Sequence, residues 1–205
     1  MNPVLRPFIL VAFVLAGGCR TSTVPEAKSL FNGRDLEGWV MMHGGDWTVE
    51  GGELVGRRGV DWTTNPEKSG SWLRTAQEYG DFGLELEYAI NVKGNSGIFL
   101  RSALEKNPAF TGNELQILDD HTLPEAKKWS TGALYDVMAA SKVMSKPPGE
   151  WNSVRLEVRG LKVNAWLNGE QILNDAPARS PRGYLGLQNH DATSEVRFRN
   201  IRLTH

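Results

Sequence analysis

Apolar and polar side chains alternate with a period of two residues along most of this chain, and no stretch keeps the period of a helix. Such alternation is typical of β-strands that bury one face, because successive side chains point to opposite sides. It is clearest at 84–90 and 154–167, and a Gly-Gly pair at 51–52 and an Asn-Gly pair at 168–169 separate alternating runs as hairpin turns do. Many short strands with frequent turns predict an all-β fold, a jelly-roll β-sandwich of two antiparallel sheets.

The segments between the alternating runs leave little room for helix. Residues 103–112 contain Pro108 and Gly112 and are predicted to form a loop. Residues 131–137 are a possible further strand. We expect any helix to be a turn or two, within residues 123–128.

Two of the alternating stretches, 94–101 and 113–120, contain the candidate site. If their apolar residues face the core, strand parity turns Arg101, Glu114 and Gln116 together toward the outer face. A cation, an acid and an amide on one sheet surface favour a ligand that is rich in hydroxyl groups.

A third alternating stretch adds Tyr184, Gln188 and His190 to the same face, provided that the strands are neighbours. The alternative is an ordinary solvated face, where most alternating polar residues lie. Against that alternative, the set combines amides, a tyrosine and a histidine with little lysine. The pair of Arg101 and Glu114, taken alone, is more typical of a structural ion pair.

Composition excludes several classes of function. The 205 residues suit one domain, and a net charge of −1 gives no electrostatic case for binding nucleic acid. The sequence contains no Gly-x-Ser-x-Gly nucleophile motif and no phosphate-binding glycine loop. Asp119, Asp120 and His121 are possible metal ligands, but adjacent ligands on a loop are a weak signal. We therefore assign no metal site and expect no cofactor.

The first 18 residues resemble the signal peptide of a bacterial lipoprotein. Arg6 precedes a short apolar run at 8–15, and small residues at 16–18 lead to Cys19, the only cysteine. We predict lipidation of Cys19, a tether over 19–28, a domain over 29–205, and export to the periplasm or cell surface, with outer-membrane attachment. An ordinary cleaved signal peptide is the alternative, and contact with the membrane is expected only through the lipid anchor.

Seven blocks of the chain, in the same order, resemble the 3-keto-disaccharide hydrolase family. The blocks are LFNGRDLEGW at 30–39, GNSGIFLR at 94–101, ELQILDD at 114–120, TGALY at 131–135, KPPGEWN at 146–152, WLNG at 166–169 and GLQNH at 186–190. The resemblance implies a concanavalin-like jelly roll, exported by a bacterium, that acts on glucosides already oxidised to a ketone at C3. One departure is Asn189, where the family pattern leads us to expect Asp, and we expect this change to weaken a hydrogen bond that orients His190.

The implied reaction is an elimination followed by hydration. A ketone at C3 acidifies the proton on C2, so a base removes it, the C1 substituent leaves, and water adds to the enone. On this resemblance we assign Glu114 as the base, with His190 as its rival, and Arg101 as the stabiliser of the enolate. Asp120 or His121 would protonate the leaving group. The residues predicted to bind the sugar are Gln116, Gln188, Asn95, Tyr135, Trp151 and His121.

Two other functions stay open at this point. A non-catalytic carbohydrate-binding module on a cell-surface lipoprotein needs only a sheet surface and aromatic residues. A hydrolase of ordinary glycans needs two carboxylates of one site about 5–9 Å apart. Glu114 and Asp119 are five positions apart, so in a flat strand they point to opposite faces, which disfavours the second alternative.

Overall fold

The structure, a computed structural model, describes residues 27–63 and 70–205. The predicted signal peptide, the lipidation site Cys19 and almost all of the predicted tether lie outside the described residues. Within the described ranges, no helix combines the length and the apolar character that crossing a bilayer would require.

Thirteen strands and one short helix form the described part of the chain. The strands are β1 Lys28–Ser29, β2 Trp39–Met42, β3 Asp46–Glu50, β4 Glu53–Arg57, β5 Trp72–Tyr79, β6 Phe82–Ile90, β7 Asn95–Ser102, β8 Asn113–Leu118, β9 Asn152–Arg159, β10 Lys162–Leu167, β11 Glu170–Pro177, β12 Gly183–Gln188 and β13 Val196–Thr204. The helix is α1, Pro108–Thr111.

The strands form the two antiparallel sheets of a jelly-roll β-sandwich, as the alternation predicts. The larger sheet has eight strands in the order β11-β10-β9-β6-β13-β4-β3, with β1 beside β13. The smaller sheet has five strands in the order β2-β5-β12-β7-β8. Its last neighbours, β12, β7 and β8, are the strands that carry the candidate site.

Local turn chemistry explains why two of the hairpins form. Gly51 and Gly52 join β3 to β4 with φ angles of 60° and 85°. Asn168 and Gly169 join β10 to β11 with φ angles of 53° and 85°. A two-residue hairpin whose central residues both have positive φ is of type I′, which matches the twist of the strands and favours Asn and Gly. Both hairpins are therefore confirmed.

Two apolar layers hold the sandwich together. Alternate residues of both sheets form the main core, for example Leu84 and Leu86 from β6 and Ile98 and Leu100 from β7. Each such buried side chain contributes about 1.5–3 kcal/mol relative to an exposed one. A second, smaller cluster centred on Phe99 lies on the outer face of the five-stranded sheet. Because side chains alternate at 98–100, Ile98 and Leu100 pack in the main core, whereas Phe99 lies on the outer face beneath the site.

The helix does not lie where the sequence pattern predicted it. Residues 123–128 form only bends and turns, whereas α1 lies in the segment predicted to be a loop. The signal was Asn107-Pro108. Asn107 caps the helix by accepting a hydrogen bond from the backbone N–H of Ala109 at 3.0 Å, and Pro108 suits the first helical turn.

The predicted strand at 131–137 is also wrong, because the segment is a chain of turns at the edge of β8. Leu134 makes isolated bridges with Leu115 and Met138. The backbone N–H of Tyr135 donates to the carbonyl of Glu114 at 2.8 Å, which holds Tyr135 next to the strand that carries Glu114.

Candidate active site

A hollow of about 220 Å³ lies over the outer face of the five-stranded sheet. It contains six of the side chains predicted from the sequence: Glu114, Gln116, Gln188, His190, Asn95 and Tyr135. The other described residues that line it are Trp62, Asn107, Ala109, Phe110, Leu118 and Trp129. The prediction that β7, β8 and β12 are neighbours is therefore confirmed, and four side chains of the predicted polar face, Glu114, Gln116, Gln188 and His190, line one hollow. Tyr184 was predicted on the same face but does not line the hollow, and the Arg74 guanidinium lies 4.5 Å from the centre of its ring.

Glu114 is the most unusual residue of this hollow. It lies on β8 opposite Phe99, and only 4% of its surface is exposed. Burial raises the pKa of Glu114 from 4.5 to about 8, since a charged carboxylate is poorly solvated there. Its carboxyl group forms no ion pair within the described residues. A carboxyl group with a pKa near neutrality can exchange protons with a substrate at physiological pH.

Gly97 on the neighbouring strand makes room for the Glu114 side chain. A Cβ atom on Gly97 would lie 2.7 Å from both Cδ and Cγ of Glu114, which is closer than such atoms approach. The glycine of the GNSGIFLR block is therefore required by the position of the carboxyl group rather than by a turn.

Gly97→Ala should displace the Glu114 carboxyl group and reduce turnover by at least tenfold, with a stability loss of about 1–3 kcal/mol from overpacking. The measurements are the turnover of a 3-keto-glucoside, the substrate class that the family resemblance implies, and the midpoint of urea denaturation. Gly80→Ala is the matched control, because its nearest new contact is at an ordinary 3.9 Å. Equal turnover in the two variants would contradict this role of Gly97.

Three amide side chains supply hydrogen-bonding groups inside the hollow. Gln116 Nε2 donates to Asn95 Oδ1 at 3.1 Å, which orients these two side chains relative to each other. Gln188 Oε1 is buried and has no hydrogen-bond partner within the described part of the chain. A buried amide oxygen without a partner is unfavourable unless a ligand satisfies it, so Gln188 is suited to accept a hydrogen bond from a sugar hydroxyl.

His190 is oriented by the residue that follows it. Its Nδ1 lies 3.0 Å from Asp191 Oδ2, and Asp191 also accepts hydrogen bonds from the N–H and hydroxyl groups of Thr193 and Ser194. Burial alone would raise the pKa of Asp191, but these hydrogen bonds outweigh it and hold the pKa well below its usual range. The ionised Asp191 accepts a hydrogen bond from Nδ1–H of His190, which leaves Nε2 as the nitrogen that can exchange a proton with a ligand.

Asn189 does not have the part in this arrangement that the family pattern suggested. Its side chain is buried and donates from Nδ2 to the carbonyl of Arg57 at 3.2 Å. The partner of His190 is Asp191 instead, so the Asn at 189 leaves the orientation of the imidazole intact.

Arg101 is not part of the hollow, and its assignment to the site is wrong. Its backbone has a φ of 56°, and β7 has one residue more than β12 between the pairs Phe99–Gly186 and Ser102–Tyr184. This bulge breaks the alternation of the strand. The buried guanidinium instead donates to the carbonyls of Gly80 and Ser180, at 2.6 and 3.1 Å, and to Asp81 at 3.0 Å. It joins loops and cannot stabilise charge at Glu114.

Two further predicted residues stabilise the loop that follows β8. Asp120 accepts hydrogen bonds from the N–H of Thr131 at 2.7 Å and from the hydroxyl of Ser145 at 3.2 Å. His121 Nδ1 lies 3.2 Å from Asp119 Oδ1. Neither Asp120 nor His121 lines the hollow. Across residues 27–63 and 70–205, no three acidic, histidine or cysteine side chains cluster as metal ligands would.

Trp151 is also placed away from the site. It immediately precedes β9 in the eight-stranded sheet, and the guanidinium of Arg199 lies 3.9 Å from the centre of its ring. The parity argument could not detect this, because it does not say to which sheet a strand belongs.

The sequence argument missed the aromatic residues of the mouth, namely Trp62, Phe110 and Trp129. They belong to three separate segments, and each has more than 40% of its surface exposed. An exposed tryptophan in a polar loop can indicate a binding site. The sequence does not show which part of the fold such a loop lies against, so this signal could not be assigned to the hollow.

Among the described residues that line the hollow, Glu114 is the only carboxylate. The pair of carboxylates that a hydrolase of ordinary glycans needs is thus not present in this set. A single buried acid among amides on one face of the β-sandwich can instead take part in proton transfer.

The chain belongs to the family of the 3-keto-alpha-glucoside-1,2-lyase-like domain, which matches residues 26–204. It is 26% identical to the 3-keto-disaccharide hydrolase of Bacteroides thetaiotaomicron, over 85% of this chain and 77% of that one. The fold is similar to that of a candidate glycosyl hydrolase from Parabacteroides distasonis, with 28% identity, a TM-score of 0.67, and coverage of 85% of this chain and 91% of that one.

A more distant similarity concerns the fold alone. The carbohydrate-binding module CBM66 of Bacillus subtilis is 20% identical, with a TM-score of 0.59 and coverage of 82% of this chain and 96% of that one. The jelly-roll architecture predicted from the alternation is confirmed by both likenesses.

Proposed function

We propose that this protein cleaves glucosides that carry a ketone at C3, by elimination across C1 and C2 followed by addition of water. The observation that supports this most directly is Glu114, a buried carboxyl group with a pKa near 8 and no second carboxylate among the described residues around it. Direct hydrolysis of a glycosidic bond uses two carboxyl groups. Elimination needs one base and one acid, and membership of the family favours a 3-keto substrate.

Glu114 is assigned as the base. Its carboxylate removes the proton from C2, and the electron pair of the C–H bond moves into the C3 carbonyl to give an enolate. The enolate then expels the C1 substituent, which leaves a double bond between C1 and C2. Water adds to C1 of this enone and a proton returns to C2, so a free 3-keto sugar is formed.

The amides replace Arg101 as the groups that stabilise the enolate. Asn95, Gln116 and Gln188 carry N–H donors that can reach an oxygen held above the sheet, and donors already in place around such an oxygen stabilise developing charge. Gln188 Oε1, which has no partner of its own, would accept a hydrogen bond from a hydroxyl of the sugar.

His190 is assigned as the acid that protonates the leaving group. It lines the same hollow as Glu114, and its Nδ1 is held by Asp191, so Nε2 can deliver a proton. Neither of the acids proposed from the sequence, Asp120 and His121, reaches the hollow. Asp191 is a positioning residue in this scheme.

A panel of 3-keto-glucosides, each tested beside its unoxidised parent, is the direct test of the proposal. We expect release of the aglycone only from the ketone, because the C2 proton of the parent sugar is not acidic. Binding of both members without release would support the carbohydrate-binding module instead. Hydrolysis of the parent at a similar rate would contradict the elimination mechanism.

The roles of Glu114 and His190 can be separated by the leaving group. His190→Gln should reduce turnover of a methyl 3-keto-glucoside by about 10²–10⁴-fold, since general acid catalysis is lost. The same variant should retain most of its turnover of a nitrophenyl 3-keto-glucoside, whose phenolate leaves without a proton. It should also still exchange the C2 proton for deuterium from solvent. Equal losses on both substrates would remove His190 from the acid role.

Export as a lipoprotein is a separate proposal, which rests on the sequence of residues 1–19. A Cys19→Ser variant, expressed in a bacterial host, should lose incorporation of labelled palmitate and its association with the membrane fraction. Retention of the label in this variant would contradict lipidation at Cys19.

A further inference from the structure

The mouth of the hollow differs in chemistry from its interior. The interior has Glu114 and three amides, whereas Trp62, Phe110 and Trp129 line the mouth with 42%, 47% and 51% of their surfaces exposed. Within residues 27–63 and 70–205, no other aromatic side chain is exposed to this extent. Aromatic residues from three separate segments therefore converge on one opening.

Such a concentration of exposed rings is unfavourable in water unless a ligand covers it. Contiguous apolar surface of this kind marks an interaction site in soluble proteins. Phe110 packs edge-on against Tyr135 at 6.1 Å, which fixes its ring, but no other ring packs against Trp62 or Trp129 in the described part of the chain. Trp62 and Trp129 have 42% and 51% of their surfaces exposed, so a flat partner can reach part of each indole.

The size of the hollow indicates which part of a glycoside reaches this mouth. Its volume of about 220 Å³ is below the ≈ 300 Å³ at which pockets for drug-sized ligands begin. It accommodates one sugar ring over the amides, and the substituent on C1 of that ring must lie outside. Charged groups lie beside the mouth as well, since the Arg179 guanidinium is 5.8 Å from the centre of the Phe110 ring.

We infer that Trp62, Phe110 and Trp129 form a subsite for the aglycone and select substituents with a flat apolar face. This inference rests on the proposed function for the placement of the sugar ring. Two sources supply that face, an aryl group or the C–H face of a second pyranose, and both stack on an indole. A methyl aglycone offers no such face and serves as the reference.

The test measures binding of unoxidised phenyl, glucosyl and methyl glucosides of the same anomer by calorimetry, so it does not depend on turnover. The wild-type protein should bind the phenyl or the glucosyl compound more tightly than the methyl compound. Trp129→Ala and Phe110→Ala should each reduce that preference by about 3–10-fold, the size expected from the loss of one stacked ring. Leu161→Ala is the control, because it removes an equally exposed apolar side chain that does not line the hollow.

Loss of the preference for the phenyl compound in the mouth variants supports the subsite and identifies an aryl aglycone as its ligand. Loss of the preference for the glucosyl compound also supports it and identifies a second sugar. Equal binding of all three compounds by the wild type, or a preference that survives in both mouth variants, overturns it. The proposed function fails independently, if the wild type does not turn over a methyl 3-keto-glucoside.

Discussion

Glu114→Gln is expected to abolish release of the aglycone from a 3-keto-glucoside while the fold is retained. The amide has the shape of the protonated carboxyl group but cannot accept the C2 proton, and removal of a general base reduces rates by about 10²–10⁴-fold. Exchange of the C2 proton with deuterated solvent should be lost as well. This second readout separates Glu114 from His190, since only the base is needed for the exchange.

The matched control is Glu170→Gln, which removes an exposed carboxylate paired with Lys142 on the eight-stranded sheet. It should leave turnover unchanged, because exposed ion pairs contribute little to stability and this one is remote from the hollow. Circular dichroism and the unfolding midpoint verify that both variants fold. Undiminished turnover in Glu114→Gln would exclude Glu114 from the mechanism.

The second large effect is on the pH dependence of stability. The pKa of Glu114 is about 8 in the folded protein. For the unfolded chain, where the side chain is not buried, we take the ordinary value of 4.5. Between these two pH values the folded state holds a proton that the unfolded state has released. The contribution of Glu114 to the free energy of unfolding therefore falls as pH rises from about 4.5 to about 8 and is constant above that.

The magnitude follows from the width of this window. One pKa unit corresponds to about 1.4 kcal/mol, so several kcal/mol of stability depend on the protonation of Glu114. Glu114→Gln removes this dependence, because the amide is neutral at every pH. We expect the variant and the wild type to have similar stability at pH 5 and the variant to be more stable by several kcal/mol at pH 9.

Urea denaturation at pH 5, 7 and 9 measures this difference directly. His190 and Tyr135 are the other titratable groups among the described residues of the hollow, and both are present in the two proteins, so their contributions largely cancel in the comparison. Parallel stability curves for variant and wild type across this range would show that Glu114 ionises normally. A buried carboxyl group whose ionisation destabilises the fold is typical of a functional site.

Much of the site could be predicted because strand parity is a local property. Glu114 and Gln116 share a face of β8 whatever the rest of the chain does, and Leu115 and Ile117 must then enter the core. The same rule fails at Arg101, where a bulge adds a residue to β7 and turns the guanidinium toward Asp81. The alternation of residue types does not reveal a bulge, because the pattern before it is unbroken.

The sequence by itself determined most of the strands, the I′ hairpins, the core faces and the family, since each depends on residues close together in the chain or on short ordered blocks. Only the tertiary structure decided which loops meet above the five-stranded sheet. It excluded Asp120, His121 and Trp151 from the hollow and brought Trp62, Phe110 and Trp129 to its mouth. These placements depend on contacts between segments that are far apart in sequence, for which the local period of side chains carries no information.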